Sequence, residues 1–490
     1  MSNNSQQLPP KENNLFKQIV KFYETKWYKK GIKAADQILK KFPEHGETLA
    51  MKGLTLNCLE RKEEAYEFVR AGLKKDLGSH VCWHVYGLLY RSDRDYREAI
   101  KCYRNALRLD KENSQILRDL SLLQVQMRDR EGFVESRRQL LTLKSSNRMN
   151  WIAFAVAHHL AGSHELAVQV LDSYESTIDG DVPASEKYEH SEMLLYRATI
   201  LEESGKIEEA LASLDKASEH VVDKLSFLAQ RANLLLKKGD KKGAEETYRK
   251  LIDLNPDNYR YHEGLHATLE LVPSESGYSA QQVAGLKALY ADLAEKYPKS
   301  PAVKRIPLES LEGADFLAAA ERYVLPFLRK GIPSLFSDLR SLYANPAKVE
   351  TLHKMFEGAA DSLQKSFKLP FACVEGDAEE DPSVLVWTLF YLAQHYDKVG
   401  RVAQAVEAID TAIRHTPTIV DLYLAKARIM KNTGDLKAAW QLADEARGMD
   451  LADRYLNSEC TLHMLDGDEV PRAHDTITLF TRDGDQQGDN

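Results

Sequence analysis

The chain has 490 residues, 43% of them hydrophobic and 29% charged, with a formal net charge of −8. That balance fits a folded chain and excludes a collagen-like, low-complexity or wholly disordered one. The longest charge-free apolar stretch, Trp151–His164, is too short to cross a bilayer, so no membrane partner is expected. The polar start MSNNSQQLPPKENN has no apolar signal core. Cys58, Cys82, Cys102, Cys373 and Cys460 form no C-x-x-C pair, which points to free thiols in a reducing cytosol. The charge is unevenly spread. Residues 1–150 hold 29 Lys+Arg against 19 Asp+Glu, a net of +10, and the rest hold 37 against 55, a net of −18. A basic end joined to an acidic body favours an anionic partner at that end.

In chain order, residues 1–14 are expected to be disordered. Helical repeats follow over 15–178. Their clearest copy runs from His80 to Asn113. Trp83, Tyr86, Gly87 and Tyr90 recur at helical spacing, and after a break at 92–94 Tyr96, Ala99, Tyr103 and Ala106 form a second apolar stripe. This is the tetratricopeptide pattern, two antiparallel helices with W-x2-L-G-x2-Y on the first and A-x3-F on the second. Gly87 and Ala99 are expected to let the two backbones approach closely. Steps of one tetratricopeptide period, about 34 residues, carry Ala99 back to Ala65 and Gly31 and forward to Phe133 and Ala167. The same step carries Gly87 back to Gly53. Phe133 breaks the small-residue rule, so wider helix separation is expected in that unit. A loop at Asp179–Ser185 breaks the phase. Repeats resume over 186–258, where Ala210 and Ala244 are again one period apart. Residues 259–370 read as irregular helical repeats punctuated by proline, and 371–383 as a solvated acidic loop with Glu375, Asp377, Glu379, Glu380 and Asp381. Regular repeats return over 384–480, with Ala405, Ala439 and Ala473 in step, and 481–490 reads as a polar tail. No polar capping helix follows, so the end is expected to be that of an isoform, a fragment or an incomplete gene model. The expected fold is an all-α, right-handed superhelical solenoid of tetratricopeptide-like helix pairs, irregular in the middle.

Two constellations carry potential chemistry. His262-Glu263-Gly264-Leu265-His266 matches H-E-x-x-H, which on a helix sets two imidazoles one turn apart for zinc. The five-residue pattern alone is unspecific, and a repeat helix with partly exposed histidines accounts for it, so no metal is expected. No two glycines stand two positions apart, so G-x-G phosphate loops are absent, as are a Walker A loop and a G-x-S-x-G elbow. The chain is expected to have no active site and no cofactor of its own. The second constellation is basic. Arg97, Lys101, Arg104 and Arg108 fall on one helical face, Arg94 precedes them, and Lys29, Lys33 and Lys40 take the same repeat positions in the first unit. It reads either as a solvated helix face or as a contact to a phosphate backbone.

Long segments go beyond the generic repeat. KENNLFKQIVKFYETKWYKKGIKAADQILKKFPEHGETLAMKGLTLNCL, WTLFYLAQHYDKVGR, HTPTIVDLYLAKARIMKNTGD and DEARGMDLADRYLNSEC resemble the auxiliary subunit of the N-terminal acetyltransferase A complex, NatA, and the likeness spans Leu8 to about Cys460. The resemblance implies a cytoplasmic, ribosome-associated, non-catalytic scaffold. Its partners would be a GNAT-fold catalytic subunit, which acetylates nascent N-termini, and the ribosome, through ribosomal RNA and the nascent chain. The basic residues Lys29, Lys33, Arg94, Arg97, Lys101, Arg104 and Arg108 would then face the ribosome. Complexes of this family also hold an inositol polyphosphate on basic side chains. The segment TLHMLDGD after Cys460 is not basic, which leaves Lys426, Arg428 and Lys431 as candidates. Family members continue well past the point where this chain ends.

Three rivals remain. A generic repeat adaptor would bind protein or RNA with no acetyltransferase. A zinc peptidase would use His262 and His266. A co-chaperone clamp would need Lys or Arg and Asn where the best repeat has His84 and Leu88.

Overall fold

The structure is a computed structural model that describes residues 7–178, 182–275, 277–376 and 378–480. The expected tail at 481–490, residues 1–6 and Asp377 lie outside the described residues, as does part of the 179–185 loop. Among the described residues every regular element is a helix, and the one β-type pairing is an isolated bridge between Ser274 and Gly277. None of these helices is long and apolar enough to cross a membrane. All five cysteines are free thiols.

The chain divides into two compact units, 1–244 and 245–490. The first holds α1 (Pro10–Glu24) with α2 (Tyr28–Leu39), α3 (Gly46–Asn57) with α4 (Lys62–Lys75), α5 (His80–Ser92) with α6 (Tyr96–Leu109), and α7 (Ser114–Gln126) with α8 (Arg130–Leu143). It continues with α9 (Arg148–Leu160) and α10 (His164–Glu175), α11 (Lys187–Glu203) and α12 (Ile207–Lys216), and α13 (Lys224–Lys238). Helix α14 (Lys241–Leu254) crosses the division. The first helix starts inside the expected tail, at Pro10. Proline suits the first helical turn, and Glu12, buried on that turn, accepts a hydrogen bond from Lys41 at 2.8 Å.

One turn geometry recurs. Lys26, Glu60, Arg94, Arg128 and Gly162, each one repeat period after the last, are all left-handed, with φ between 58° and 79°. The residue after each donates its N–H to the carbonyl five positions back, as Asp95 does to Tyr90 at 2.9 Å and Asp129 to Gln124 at 2.8 Å. These are Schellman closures that satisfy the orphan carbonyls of the first helix. The second helix is often capped at once. The Asp95 and Asp129 side chains accept from the N–H of Glu98 and Gly132.

Small residues set the spacing inside pairs, as the period predicts. Ala65, Ala99 and Ala167 are fully buried. The backbones of α3 and α4 approach closely, and a Cβ on Gly53 would stand 2.6 Å from the Ala65 carbonyl oxygen. Gly87 acts differently from expectation. A Cβ there would meet the Tyr103 ring at 2.4 Å, so the missing side chain makes room for a buried aromatic ring. Phe133 is buried as well.

The second unit holds α15 (Tyr259–Thr268), α16 (Ala280–Lys296), the short α17 (Pro301–Arg305), α18 (Gly313–Lys330), the short α19 (Leu335–Leu339) and α20 (Pro346–Ser366). Regular pairs follow: α21 (Ser383–Lys398) with α22 (Val402–His415), α23 (Val420–Thr433) with α24 (Leu436–Met449), and α25 (Arg454–Asp466) with α26 (Val470–Thr478). The left-handed turn returns at Gly400, Gly434 and Asp468, again one period apart. In the irregular part, buried cations replace repeat packing. Lys348 donates to the Leu308 and Glu309 carbonyls at 2.7 Å each, and Arg305 donates to the Asp338 carbonyl at 2.8 Å. The 371–383 segment is not fully solvated. The Glu380 side chain is only 8% exposed and pairs with Arg329 at 2.6 Å.

His262 is packed, at 1% exposed, where the sequence suggests partial exposure, while His266 is partly exposed as expected. The Nε2 of His262 donates to the Pro256 carbonyl at 2.8 Å. Its Nδ1 therefore accepts from the Tyr290 hydroxyl at 3.1 Å, whose oxygen accepts from His266 Nε2 at 2.9 Å. Burial pushes both imidazoles down, His266 to about 4 with help from its neighbour His262.

Three outcomes follow from this packing. Gly53→Ala gains helix propensity of about 1 kcal/mol, but its Cβ must force two backbones apart, which costs about 1–3 kcal/mol or more. Thermal unfolding should show a net loss of stability, and an unchanged or raised Tm would show that the pair is looser than described. Tyr290→Phe should cost about 1–3 kcal/mol by leaving buried imidazole nitrogens unpaired. Histidines with lowered folded pKa values contribute stability that is full above the unfolded value of about 6.5, and it is lost as pH falls toward that of folded His266, about 4. Denaturant unfolding at a series of pH values should show that decline, and His266→Gln should flatten it.

Candidate functional site

The four cations read onto one face of α6 do share that face. Arg97, Lys101, Arg104 and Arg108 are all exposed, while Ala99, Ile100, Cys102, Tyr103 and Ala106 are buried. The helical period alone separates the two sets. Arg94 is exposed at the left-handed turn, with φ 62°. Lys29 and Lys33 are exposed on α2 opposite the buried Ala34, Ala35 and Ile38.

The cations differ in how they are held. Lys101 pairs with Glu98 at 2.5 Å, Arg104 with Asp129 at 3.1 Å, and Arg108 donates to the Asn105 side chain at 3.3 Å. The hydrogen bond from Lys101 to Glu98 pushes the Lys101 ammonium up. One period before Arg97 and Lys101 stand Glu63 and Glu67, both exposed on α4. The row of cations from Lys29 and Lys33 to α6 is therefore interrupted by carboxylates.

Positive charge instead gathers at the C-terminal half of α6. Arg104 and Arg108, with Lys111 and Arg138, border a groove of about 600 Å³ over Leu107, Leu117 and Leu120. The nearby carboxylate Glu135 is held by Arg138 at 2.7 Å, and hydrogen bonds from Arg138 and Gln139 keep it below the usual carboxylate range. Lys111 and Arg138 lie outside the basic set that the sequence pattern marks. Arg138 was findable, since it stands one period after Arg104, whereas Lys111 follows the helix and joins only in space. Such a groove offers several exposed cations above an apolar floor, which suits a polyanion.

The other basic candidates are each paired with a carboxylate. On α23, Lys426 pairs with Asp410 at 2.7 Å, Arg428 with Glu459 at 2.7 Å and the Tyr455 hydroxyl at 2.8 Å, and Lys431 with Asp466 at 2.6 Å. A polyphosphate there would have to displace a carboxylate from each. His84, at the clamp position, is turned to Asp119, with its Nε2 2.9 Å from a carboxylate oxygen. His262 and His266 are joined through Tyr290, and the Nε2 of His262 is committed to Pro256.

Comparison with known proteins agrees with the repeat reading and narrows it. The family model described as N-terminal acetyltransferase A, auxiliary subunit, matches residues 188–490, and one described as Psidin, N-terminal TPR repeats region, matches 16–252. The chain is 58% identical over 480 residues to the N-terminal acetyltransferase A complex auxiliary subunit NAA15 of Arabidopsis thaliana, covering 98% of this chain and 53% of that protein. It is 44% identical to N-alpha-acetyltransferase 16, NatA auxiliary subunit, of Homo sapiens, covering 99% of this chain and 55% of that one. It thus spans about half the length of these relatives. A solved structure of Naa15/Naa10 bound to HypK-THB is similar with a TM-score of 0.73 and 40% identity, over 98% of this chain and 69% of that chain. The chain belongs to the family of auxiliary subunits of N-terminal acetyltransferase A.

Proposed function

We propose that the chain is a non-catalytic scaffold of a NatA-type N-terminal acetyltransferase. It binds a GNAT-fold catalytic subunit and brings it to the ribosome in the cytoplasm, where nascent N-termini are acetylated. The observation that carries this reading is the unbroken likeness to NatA auxiliary subunits over 98% of the chain. The solved relative in which Naa15 is assembled with Naa10 supports a catalytic partner of that kind. The basic groove supports the ribosomal part. Arg104, Arg108, Lys111 and Arg138 are positioned to meet phosphates, with Arg97, Lys101 and Arg94 beside them and Lys29 and Lys33 as a separate patch. Each phosphate contact would release condensed counterions, so the affinity would fall steeply with salt. An inositol polyphosphate at Lys426, Arg428 and Lys431 is the less favoured element of the reading, because each cation is already paired.

One experiment tests both halves. The chain and a GNAT-fold catalytic subunit are co-purified and sedimented with ribosomes across a salt series. The wild-type chain should carry the catalytic subunit into the ribosomal pellet at low salt. Changing Arg97, Lys101, Arg104 and Arg108 to Glu should leave both proteins in the supernatant while they still co-purify, with circular dichroism unchanged. Removing one cation should lower the salt slope by about one unit or less. A folded quadruple variant that sediments like the wild type would reduce the basic face to a solvated surface. Sedimentation of the chain without its partner would favour the RNA-binding adaptor.

A further inference from the structure

A cluster outside the basic face lies in the first unit. His159 stands near the end of α9, His164 opens α10 and Glu203 ends α11. One ligand atom from each lies within 4.8 Å of the other two. His159 Nε2 is 2.8 Å from a Glu203 carboxylate oxygen, and its Nδ1 is 2.8 Å from the Tyr196 hydroxyl. The two imidazoles meet edge to face with ring centroids 5.4 Å apart. The His164 side chain makes no hydrogen bond among the described residues and borders a cleft of about 230 Å³. Glu203 is 54% exposed and His159 16%, so the ligand atoms can be reached from solvent.

We propose that His159, His164 and Glu203 bind a divalent first-row transition ion of the zinc class, with solvent completing its coordination. Two imidazoles and one carboxylate are a donor set that zinc accepts, at about 2.0–2.2 Å from each ligand atom. A tetrahedral ion holds such atoms about 3.3 Å apart. To reach that spacing the His159–Glu203 contact, now 2.8 Å, would open by about half an ångström, and His164, whose ligand atom lies within 4.8 Å of the other two, would turn its side chain in toward them.

The proton has somewhere to go. A carboxylate only accepts, so in the metal-free chain the neutral His159 ring carries its hydrogen on Nε2 and its Nδ1 accepts from Tyr196 O–H. When the ion takes the Nε2 lone pair, the ring carries its hydrogen on Nδ1 instead and donates it to the Tyr196 oxygen. The ring stays neutral, and Tyr196 fixes the tautomer that ligates. Tyr196 is a positioning residue, standing where a metal-bound histidine more often has a carboxylate, a backbone carbonyl or water. The sequence did not announce this site. H-x4-H is an unremarked spacing, and Glu203 arrives from the next helix pair. Its consequence is structural: one ion would tie three successive helices together, stabilising the folded unit by mass action.

The test uses the untagged whole chain, stripped with a chelator and titrated with zinc chloride by calorimetry. One zinc per chain should bind saturably and raise Tm. With cobalt(II) in its place, the chain should give the visible absorption of a low-coordinate site. His164→Ala and Glu203→Gln should each weaken binding about tenfold or more, and Tyr196→Phe about 10- to 100-fold. His266→Ala, at the H-E-x-x-H segment, should leave the titration unchanged. If His164→Ala fails to fold by circular dichroism, Glu203→Gln decides, since its side chain is largely exposed. No saturable binding, or equal affinity in the folded His164 and Glu203 variants, would overturn the site.

Discussion

The fold rests on one constraint repeated along the chain, the left-handed closure between the two helices of each pair. That closure ends the first helix, fixes where the second begins and so fixes which faces meet. In the first unit it falls on Lys26, Glu60, Arg94, Arg128 and Gly162 in strict steps of one period, and in the second on Gly400, Gly434 and Asp468. At Arg94 and Glu60 the conformation costs a β-carbon-bearing residue about 1–2 kcal/mol. The burial it permits outweighs that cost. Ala99, Ile100, Tyr103 and Ala106 on one helix are removed from water together because α6 starts where it does. The same register turns Arg97, Lys101, Arg104 and Arg108 outward. Packing and charge display are two readings of one helical phase.

Much of this was legible in the sequence, and what was not has physical reasons. The repeat period put Ala65, Ala99, Ala167, Ala210 and Ala244 in the interior, since small residues at fixed intervals have no other economical use in helix pairs. The outward cations of α6 were readable from spacing alone. The role of Gly87 is not legible in the sequence because a missing side chain does not say what fills the gap, and here it is the ring of Tyr103. The start of the first helix is hidden in the sequence because polar residues dominate its opening turn, while the tie of Glu12 to Lys41 is made across 29 residues. Glu380 reads as one more acid in an acidic run, and its partner Arg329 lies 51 residues away. Burial of His262 likewise depends on Tyr290, which belongs to another helix. Local pattern reports faces and periods, and it is silent about the polar partner that makes a buried group tolerable.

These features suit a scaffold. A stack of helix pairs presents large outer surfaces, and its cores are filled by side chains that have no chemistry to perform. The H-E-x-x-H histidines show this, being joined through a tyrosine hydroxyl and held neutral by burial. The basic groove is the opposite case. Its cations are exposed, and pairs of that kind contribute only about 0–1 kcal/mol to folding, so Arg104 and Arg138 can exchange Asp129 and Glu135 for a partner's phosphates at little cost to the fold. Division of labour within the proposed complex follows from this contrast: the repeats supply surface and charge, and the chemistry belongs to the subunit they hold.

The most direct measurement of that claim is acetyl transfer from acetyl-CoA to a peptide beginning with Ser or Ala. The account predicts no transfer by the purified chain alone, and transfer once a GNAT-fold catalytic subunit is added and forms a complex with it. Transfer by the chain without a second protein, or a catalytic subunit whose activity and peptide preference are untouched by the chain, would contradict it.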